Sequence, residues 1–337
     1  MDPSSEKLSA ARWVFGRVLD GLGGATPAAT DEVADFLIAH RLAGLARREG
    51  LKHRKLEAAA LLAKRRAAAS LKLLKGACGA LAAEEFVVVK GVPQAVWLHG
   101  DASLRPSGDL DLLIERPRFQ RIKKALEAAG FAADVASPAG LEVIFRRGGE
   151  QIDVHVMPWS DALSSKEVVA GAERMEIDGI AVPVAAKRHR VGLMVGHLIH
   201  DLGRQLIHHL ELLMAAKEEG VVLGGSPEER LILRDVERWL QLGPCFAPSG
   251  GATQGKPVGL RSVRWALLDA WWRKVGPGER ARKDDRSSYV MDLYVEAVLR
   301  PGRSAETLMR ALWPAVKSDR WKGEGWRLGR IKRMLGL

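Results

Sequence analysis

The chain has few cysteines and tyrosines and no long uncharged apolar run. Its 337 residues include 2 cysteines and 2 tyrosines, and aromatic side chains make up 6% of the sequence. Cys78 and Cys245 form neither a disulfide framework nor a zinc-binding spacing, so we expect free buried thiols in a reducing compartment. No apolar run approaches the roughly 20 residues of a membrane span, and the first residues lack a signal-peptide pattern. These absences predict a cytoplasmic protein with no membrane partner and no zinc.

The remaining composition is that of a globular protein, with 47% hydrophobic and 28% charged residues. The formal net charge of +11 is spread unevenly, because residues 41–76 and 250–337 are strongly basic whereas 77–249 carry a small acidic excess. Basic flanks suit an anionic partner such as nucleic acid, a triphosphate or an acidic peptide. Two solvated helix faces would explain the same charge equally simply.

Hydrophobic periodicity divides the chain into four segments. Residues 1–76 are predicted to be helical, with Thr30 as a helix cap. Residues 77–185 carry the strand patterns and form the predicted catalytic core, with a hairpin predicted around Gly148-Gly149 and a further strand pair turning at Asp178-Gly179. Residues 186–247 return to helical spacing and are expected to pack on that core. Residues 248–337 join a Gly/Pro-rich linker to a basic, tryptophan-rich helical segment, whose tryptophans either form a core or contact a partner. The order of strands and helices predicts an α+β fold rather than a repeating parallel α/β unit.

Two aspartates alternate with leucines after a Pro-Ser-Gly turn, in the run Asp109-Leu110-Asp111-Leu112. Side chains two residues apart on a β-strand share a face, so both carboxylates are predicted to point the same way. Neighbouring carboxylates repel each other unless one is protonated or a cation lies between them. The pattern therefore favours a divalent-metal site with oxygen ligands, of the kind that Mg²⁺ uses when it also binds phosphates.

A third aspartate follows the same alternation in Gln151-Ile152-Asp153-Val154-His155. If this strand lies beside the first, three carboxylates converge, and two metal ions bound by them would clamp the oxygens of an in-line phosphoryl displacement. Asp153 would then face the acceptor and help to remove its proton. His155 shares the face of Asp153 and either orients a carboxylate, touches the acceptor or is a packed structural residue.

These motifs, namely Lys90-Gly91, Arg105-x-x-Gly108-Asp109-Leu110-Asp111 and Asp153-x-His155, resemble the uncharacterised nucleotidyltransferase family often found in bacterial natural-product gene clusters. That family belongs to the DNA polymerase beta-type nucleotidyltransferase superfamily. The resemblance covers residues 86–157 well and continues more loosely to Leu213. It implies a polymerase beta-like mixed sheet flanked by helical segments.

The resemblance also implies roles for individual residues. Asp109, Asp111 and Asp153 would be the catalytic metal ligands, for Mg²⁺ or alternatively Mn²⁺. Contact with the nucleotide phosphates would come from a second set: Lys90, Gly91, Arg105, Ser107, Gly108 and His155. The superfamily usually has Gly-Ser or Gly-Gly at the strand end, whereas this chain has Gly91-Val92, so a different triphosphate cradle is expected.

Each of these assignments has a structural alternative. In that alternative, Lys90 ends a strand in solvent, and Arg105 makes a structural salt bridge to a site aspartate. The Asp109-x-Asp111 motif also occurs in glycosyltransferases, but those enzymes place a nucleotide-binding parallel half before it, which this chain lacks. Among the histidines at helical spacing, His197 is expected to face the site from the helical segment.

The sequence thus predicts an enzyme that transfers an NMP from an NTP to a hydroxyl-type acceptor and releases pyrophosphate. The favoured acceptor is a natural product, peptide or other small molecule, which the family's genomic setting suggests. The basic flanks suggest a different acceptor, tRNA, as in toxin-type nucleotidyltransferases. A third reading is a non-catalytic protein that uses the same fold to bind nucleic acid or peptide.

Overall fold

The computed structural model describes residues 3–21, 24–136, 142–159, 163–201, 205–224 and 226–236. The helices within these ranges are α1 (Pro3–Asp20), α2 (Asp31–Ala39), α3 (Ala43–Arg48), α4 (Arg54–Ala80), α5 (Val92–His99), α6 (Phe119–Ala128), α7 (Ser165–Ala170), α8 (Lys187–His200), α9 (Leu206–Glu218) and α10 (Pro227–Asp235). The strands are β1 (Val87–Val88), β2 (Leu110–Leu113), β3 (Ala132–Ala136), β4 (Glu142–Arg147), β5 (Glu150–His155), β6 (Glu173–Ile177) and β7 (Ile180–Val184). The predicted tryptophan-rich segment 248–337 and Cys245 lie outside the described residues.

The seven strands form one mixed sheet in the order β3-β4-β5-β2-β1-β7-β6. Two pairs are parallel, β2 with β5 and β1 with β7, and the other four are antiparallel. The predicted hairpin turns at Gly148-Gly149, and the predicted strand pair turns at Asp178-Gly179. With helices before and after the sheet, the structure confirms the predicted α+β, nucleotidyltransferase-like fold.

One face of the sheet is covered by α4 and α6. Leu110 and Leu112 of β2 and Ile152 and Val154 of β5 belong to the hydrophobic core on this side, together with Leu73 of α4. The alternate side chains of the same strands point to the opposite face, where a smaller apolar cluster joins β1 and β2 to α7 and α8. The period of two therefore buries leucine on one face and leaves aspartate on the other.

Helices from both ends of the described chain share a second, larger core. Buried residues of α1, α2 and α3 pack with buried residues of α8 and α9, and Leu98 of α5 joins them from beside the sheet. Thr30 caps α2 as predicted, because its hydroxyl accepts a hydrogen bond from Val33 N at 3.3 Å. The helices that come before and after the sheet in sequence thus form one packed layer next to it.

None of the described helices is both long enough and apolar enough to cross a bilayer.

Candidate metal and nucleotide site

The parallel pairing of β2 and β5 brings the three predicted aspartates together. Asp111 and Asp153 are direct register partners, so their side chains leave the same face of the sheet at neighbouring positions. Asp109 precedes β2 by one residue and extends this acidic row. One carboxylate oxygen from each aspartate lies within 4.8 Å of the other two, and among the described residues this is the group of three that can hold a metal ion.

Asp111 is the central carboxylate and is almost fully buried, with 1% of its surface exposed. Its Oδ1 receives the Lys90 ammonium at 3.0 Å and lies 3.2 Å from Nε2 of His155. Burial by itself would raise the pKa of Asp111, but Lys90 and His155 outweigh that effect and hold the pKa at about 2. Asp111 is therefore a permanent carboxylate in this site.

Asp153 has the opposite electrostatic character. Burial, followed by the negative charges of Asp111 and Asp109, raises the pKa of Asp153 to about 7. The Gln151 side chain works against this shift by donating to both carboxylate oxygens, at 2.8 and 3.1 Å. Ionised Asp153 consequently requires a nearby positive charge that the surrounding protein does not fully supply.

The donor set of these aspartates fits a hard divalent cation. All three residues offer carboxylate oxygens, which Mg²⁺ and Mn²⁺ prefer over the sulfur and imidazole ligands that suit zinc. In addition, Oδ2 of Asp111 is buried and has no hydrogen-bond partner within the described part of the chain. A buried carboxylate oxygen without a partner is costly, and coordination to a cation would satisfy it.

A turn of five residues, Arg105 to Asp109, brings the Asp109 carboxylate into the acidic group. Within it, the Ser107 hydroxyl donates to the carbonyl oxygen of Asp109 at 3.0 Å and lies 3.3 Å from Oδ1 of the same residue. Ser70 of α4 donates to the Ser107 carbonyl at 3.2 Å. A Cβ added at Gly108 would meet no heavy atom within 4 Å, so space remains open at that residue. The turn is thus fixed at Ser107 and open at Gly108.

Lys90 and Gly91 lie where β1 ends and α5 begins. The Lys90 ammonium contacts His197 Nε2 at 3.2 Å as well as Asp111, and it lies 5.4 Å from the centre of the Trp159 ring. Burial raises the energetic cost of its charge and would lower the pKa of Lys90, but Asp111 and Asp109 outweigh burial and raise it. Lys90 is therefore a fixed internal cation that balances the aspartates.

Gly91 is the N-cap of α5 and has a backbone that other residues rarely adopt, with φ of 79° and ψ of −129°. A Cβ at this position would approach the Ser107 hydroxyl oxygen to 3.2 Å. None of the described side chains caps this end of α5, so its first N–H groups donate to no capping oxygen among them. Glycine at position 91 permits both the backbone conformation and the close approach of the Ser107 turn.

Arg105 is paired with Glu211 and not with a site aspartate, which was the structural alternative considered for this residue. Its Nε bonds instead to Glu211 of α9 at 2.9 Å, and the two side chains are 3% and 0% exposed. Gln94 donates to Glu211 at 2.8 Å, and His99 Nε2 lies 3.2 Å from it. Burial would raise the pKa of Glu211, but Arg105 and His99 hold it at about 2.

A row of aromatic rings forms one wall of the site. Trp159 lies just beyond β5, and its ring centre is 4.6 Å from that of His155 and 5.1 Å from that of His197. His208 continues the row at 5.0 Å from His197. Burial, followed by the Lys90 charge, lowers the pKa of His197 well below its usual value, so His197 is neutral and accepts from Lys90. The structure thus places His197 at the site, as expected from the sequence.

A cavity opens beside this wall, with about 300 Å³ of empty space that includes its solvent-open part. Lys90, Arg105, Trp159, His197 and His208 contribute to its lining. Sequence reasoning singled out three of these residues but missed Trp159 as a site residue, and it also missed Gln151 and Glu211. Glu211 alone carried a usable signal, because it is a single carboxylate within the apolar run Leu210-Glu211-Leu212-Leu213.

No curated protein sequence matches this chain. A family model described as an uncharacterised nucleotidyltransferase matches residues 27–219, which is more than half of the chain. The matched region runs from just before α2 to the end of α9 and contains the three aspartates, Lys90 and the Arg105–Glu211 pair. The chain therefore belongs to the uncharacterised nucleotidyltransferase family.

Proposed function

We propose that this protein is a Mg²⁺-dependent nucleotidyltransferase that moves an NMP from an NTP to a hydroxyl group of an acceptor and releases pyrophosphate. The observation that carries the proposal is the carboxylate group of Asp109, Asp111 and Asp153, whose oxygens lie within 4.8 Å of one another on adjacent parallel strands. Membership of the family supplies the transferase class, and the site geometry supports phosphoryl chemistry within it.

The positions of the three aspartates suggest different roles in binding the cations. Asp109 and Asp111 would share the bound cations, and Asp153 would hold the one nearest the acceptor. Divalent cations held by these carboxylates would supply charge stabilisation to the reacting phosphate. The acceptor oxygen forms a bond to the α-phosphorus while the bond to the β-phosphate oxygen breaks. Asp153 would lie on the acceptor side and help to remove the proton that the attacking hydroxyl loses as the new bond forms.

The phosphates would lie between Lys90 and the start of α5. Lys90 already faces the aspartates, and the uncapped N–H groups of α5 after Gly91 offer donors to an anion. His155 would keep Asp111 oriented through their 3.2 Å contact. The open space at Gly108 and the hydroxyl of Ser107 complete the proposed phosphate side.

The favoured acceptor is a small molecule or peptide, and RNA is the alternative that one observation supports. On α4 the side chains of Lys64, Arg65, Arg66 and Lys72 are exposed, and no ion pair to them occurs among the described residues. A nucleic-acid acceptor held by such a face would bind less tightly as salt rises, because bound counterions are released on association. Transfer to a small acceptor should change little over the same salt range.

The test of the proposal is transfer of label from α-labelled NTPs, with Mg²⁺ or Mn²⁺ and pools of small-molecule, peptide and RNA acceptors. We expect metal-dependent transfer by the wild type, and background transfer by Asp109→Asn/Asp111→Asn. Asp134→Asn is the matched control, because Asp134 is an exposed aspartate on β3 paired with Arg146. Equal transfer by the double variant and the wild type would overturn the proposal.

A further inference from the structure

The Arg105–Glu211 pair lies at one end of the turn that delivers Asp109. Arg105 is the first residue of the turn and Glu211 lies on α9, so their 2.9 Å contact joins the turn to the helical layer. Both side chains are almost wholly buried, and Glu211 also receives Gln94 and His99 from α5. Three donors around one buried carboxylate make a rigid anchor, because each bond is strengthened by the low local dielectric.

The same turn is held from the other side by the N-terminal helices. Arg41, in the linker between α2 and α3, donates from Nη1 to the Pro106 carbonyl at 3.4 Å. Arg41 adopts a left-handed backbone with φ of 58°, a conformation that non-glycine residues seldom take. Ser70 of α4 binds the next carbonyl, that of Ser107, at 3.2 Å. Three consecutive residues, Arg105, Pro106 and Ser107, are therefore bound by three different elements, namely α9, the linker between α2 and α3, and α4.

From this arrangement we propose that Arg105 and Glu211 are positioning residues, which set the location of Asp109 and thereby the metal affinity of the site. This proposal rests on the proposed function only in taking the aspartate group as a metal site. Direct phosphate contact by Arg105 is the competing assignment. The two assignments differ in what they predict for metal binding without nucleotide.

The direction in which cation affinity changes when Arg105 is removed distinguishes a positioning role from a purely electrostatic one. Arg105 carries a positive charge near Asp109 and Asp111, so its removal alone should strengthen cation binding. If Arg105 positions Asp109, its removal should weaken cation binding instead. If Arg105 only contacts phosphate, its removal should weaken binding of the nucleotide without weakening binding of the cation alone.

The experiment measures Mn²⁺ binding by electron paramagnetic resonance for the full chain without nucleotide. The variants are Arg105→Gln, Glu211→Gln and the charge-balanced double variant Arg105→Gln/Glu211→Gln. We expect each of the three to bind Mn²⁺ about tenfold more weakly than the wild type, the usual effect of losing an outer partner of a metal ligand. The effects of the two single changes should not add in the double variant, because both remove the same contact.

Two controls keep this result interpretable. Glu219→Gln removes a partner of Arg190 in another ion pair of the helical layer, and it should bind Mn²⁺ like the wild type. Arg105→Met/Glu211→Leu replaces the whole pair with apolar side chains, which preserves folding more often than stranding one buried charge. Thermal melts establish which variants are folded before binding is compared, and the apolar double variant should also show weakened Mn²⁺ binding.

Unchanged or tighter Mn²⁺ binding in folded Arg105→Gln, with weaker NTP binding, would overturn the positioning proposal and support phosphate contact. Wild-type protein that binds no Mn²⁺, or binds it equally after Asp109→Asn, would instead overturn the proposed function. The two failures are therefore distinguished within a single set of titrations.

Discussion

Asp111 and Asp153 are paired residue to residue across β2 and β5, yet one is held with a pKa of about 2 and the other with a pKa of about 7. Lys90 and His155 both contact Asp111, whereas among the described residues Asp153 is hydrogen-bonded by the neutral Gln151 amide and lies next to two other acidic groups. This asymmetry leads to predictions about stability and about metal binding.

Asp153→Asn should stabilise the metal-free protein. Because the folded pKa of about 7 exceeds the unfolded value near 3.8, the native state holds its proton more tightly than the unfolded state. Ionised Asp153 therefore costs stability increasingly as pH rises through this range, and the full cost is present above pH 7. We expect the melting temperature of the variant to exceed that of the wild type by a few degrees at pH 8 and by less at pH 5.

This prediction is measured by thermal unfolding in a metal chelator, with Asp134→Asn as the exposed control. Added Mg²⁺ should raise the melting temperature of the wild type more than that of Asp153→Asn, because binding stabilises the state that binds. Identical melting temperatures of variant and wild type in chelator at pH 8 would contradict the raised pKa.

Lys90→Met should affect metal and nucleotide binding in opposite directions. The Lys90 ammonium occupies Oδ1 of Asp111 at 3.0 Å, so its removal frees a ligand atom and deletes a repelling charge. We expect Mn²⁺ alone to bind about tenfold more tightly, while NTP in the presence of the metal binds more weakly. Lys90→Arg keeps the charge and is the matched variant. A loss of affinity for Mn²⁺ alone in Lys90→Met would show that Lys90 does not compete for Asp111.

His197 is expected to hold Lys90 through its acceptor nitrogen. His197→Gln retains an acceptor oxygen near the ammonium, whereas His197→Phe retains only the ring volume. A hydrogen bond to a charged group contributes about 1.5–3 kcal/mol, so the Phe variant should lose about tenfold or more in NTP affinity and the Gln variant much less. Isothermal titration with Mg²⁺ and each NTP measures the difference. Equal losses in both variants would indicate that ring shape, rather than the contact with Lys90, is what matters.

Gly91→Ala should impair activity more than Gly100→Ala. Both glycines have positive φ, but only Gly100, with φ of 71° and ψ of −4°, lies in the left-handed region, where alanine costs about 1–2 kcal/mol of folding free energy. Gly91, with φ of 79° and ψ of −129°, lies outside that region, in a conformation that alanine adopts less readily. At Gly91 the new Cβ would also meet the Ser107 hydroxyl at 3.2 Å, whereas at Gly100 nothing lies within 4 Å. Urea unfolding should therefore show larger destabilisation for Gly91→Ala than for Gly100→Ala, and metal-dependent transfer per folded protein should fall for Gly91→Ala alone. Normal transfer by Gly91→Ala would show that the Ser107 turn tolerates displacement.

Local sequence patterns were sufficient to predict the central part of the sheet. The two-residue alternation around Asp109 and Asp153 predicted two strands with carboxylates on one face, and the register of β2 with β5 confirms that geometry. The Thr30 cap of α2 and the turn at Gly148-Gly149 were also predictable from local sequence, because caps and turns depend on neighbouring residues.

Contacts between distant residues were not predictable from such patterns. The partner of Arg105 lies 106 residues away on a helix, and nothing near either residue specifies the other. Strand β3, Ala132–Ala136, was missed because its Ala-rich sequence has little strand propensity and its pairing with β4 determines its conformation. Trp159 was likewise assigned no role, because its proximity to Lys90 and His197 arises only after β5 and α8 have packed.

The parallel pairing of β2 with β5 also bears on how the protein folds as it is synthesised. Strands β3 and β4 and helix α6 come between the two in the chain, so Asp111 and Asp153 meet only after a long loop has closed. Such non-local pairing forms late in folding compared with helices. A nascent chain that ends before β5 lacks Asp153, and one that ends before α9 lacks the partner of Arg105. Under the proposed function, the onset of Mn²⁺ binding during refolding would therefore mark the time at which β2 and β5 pair.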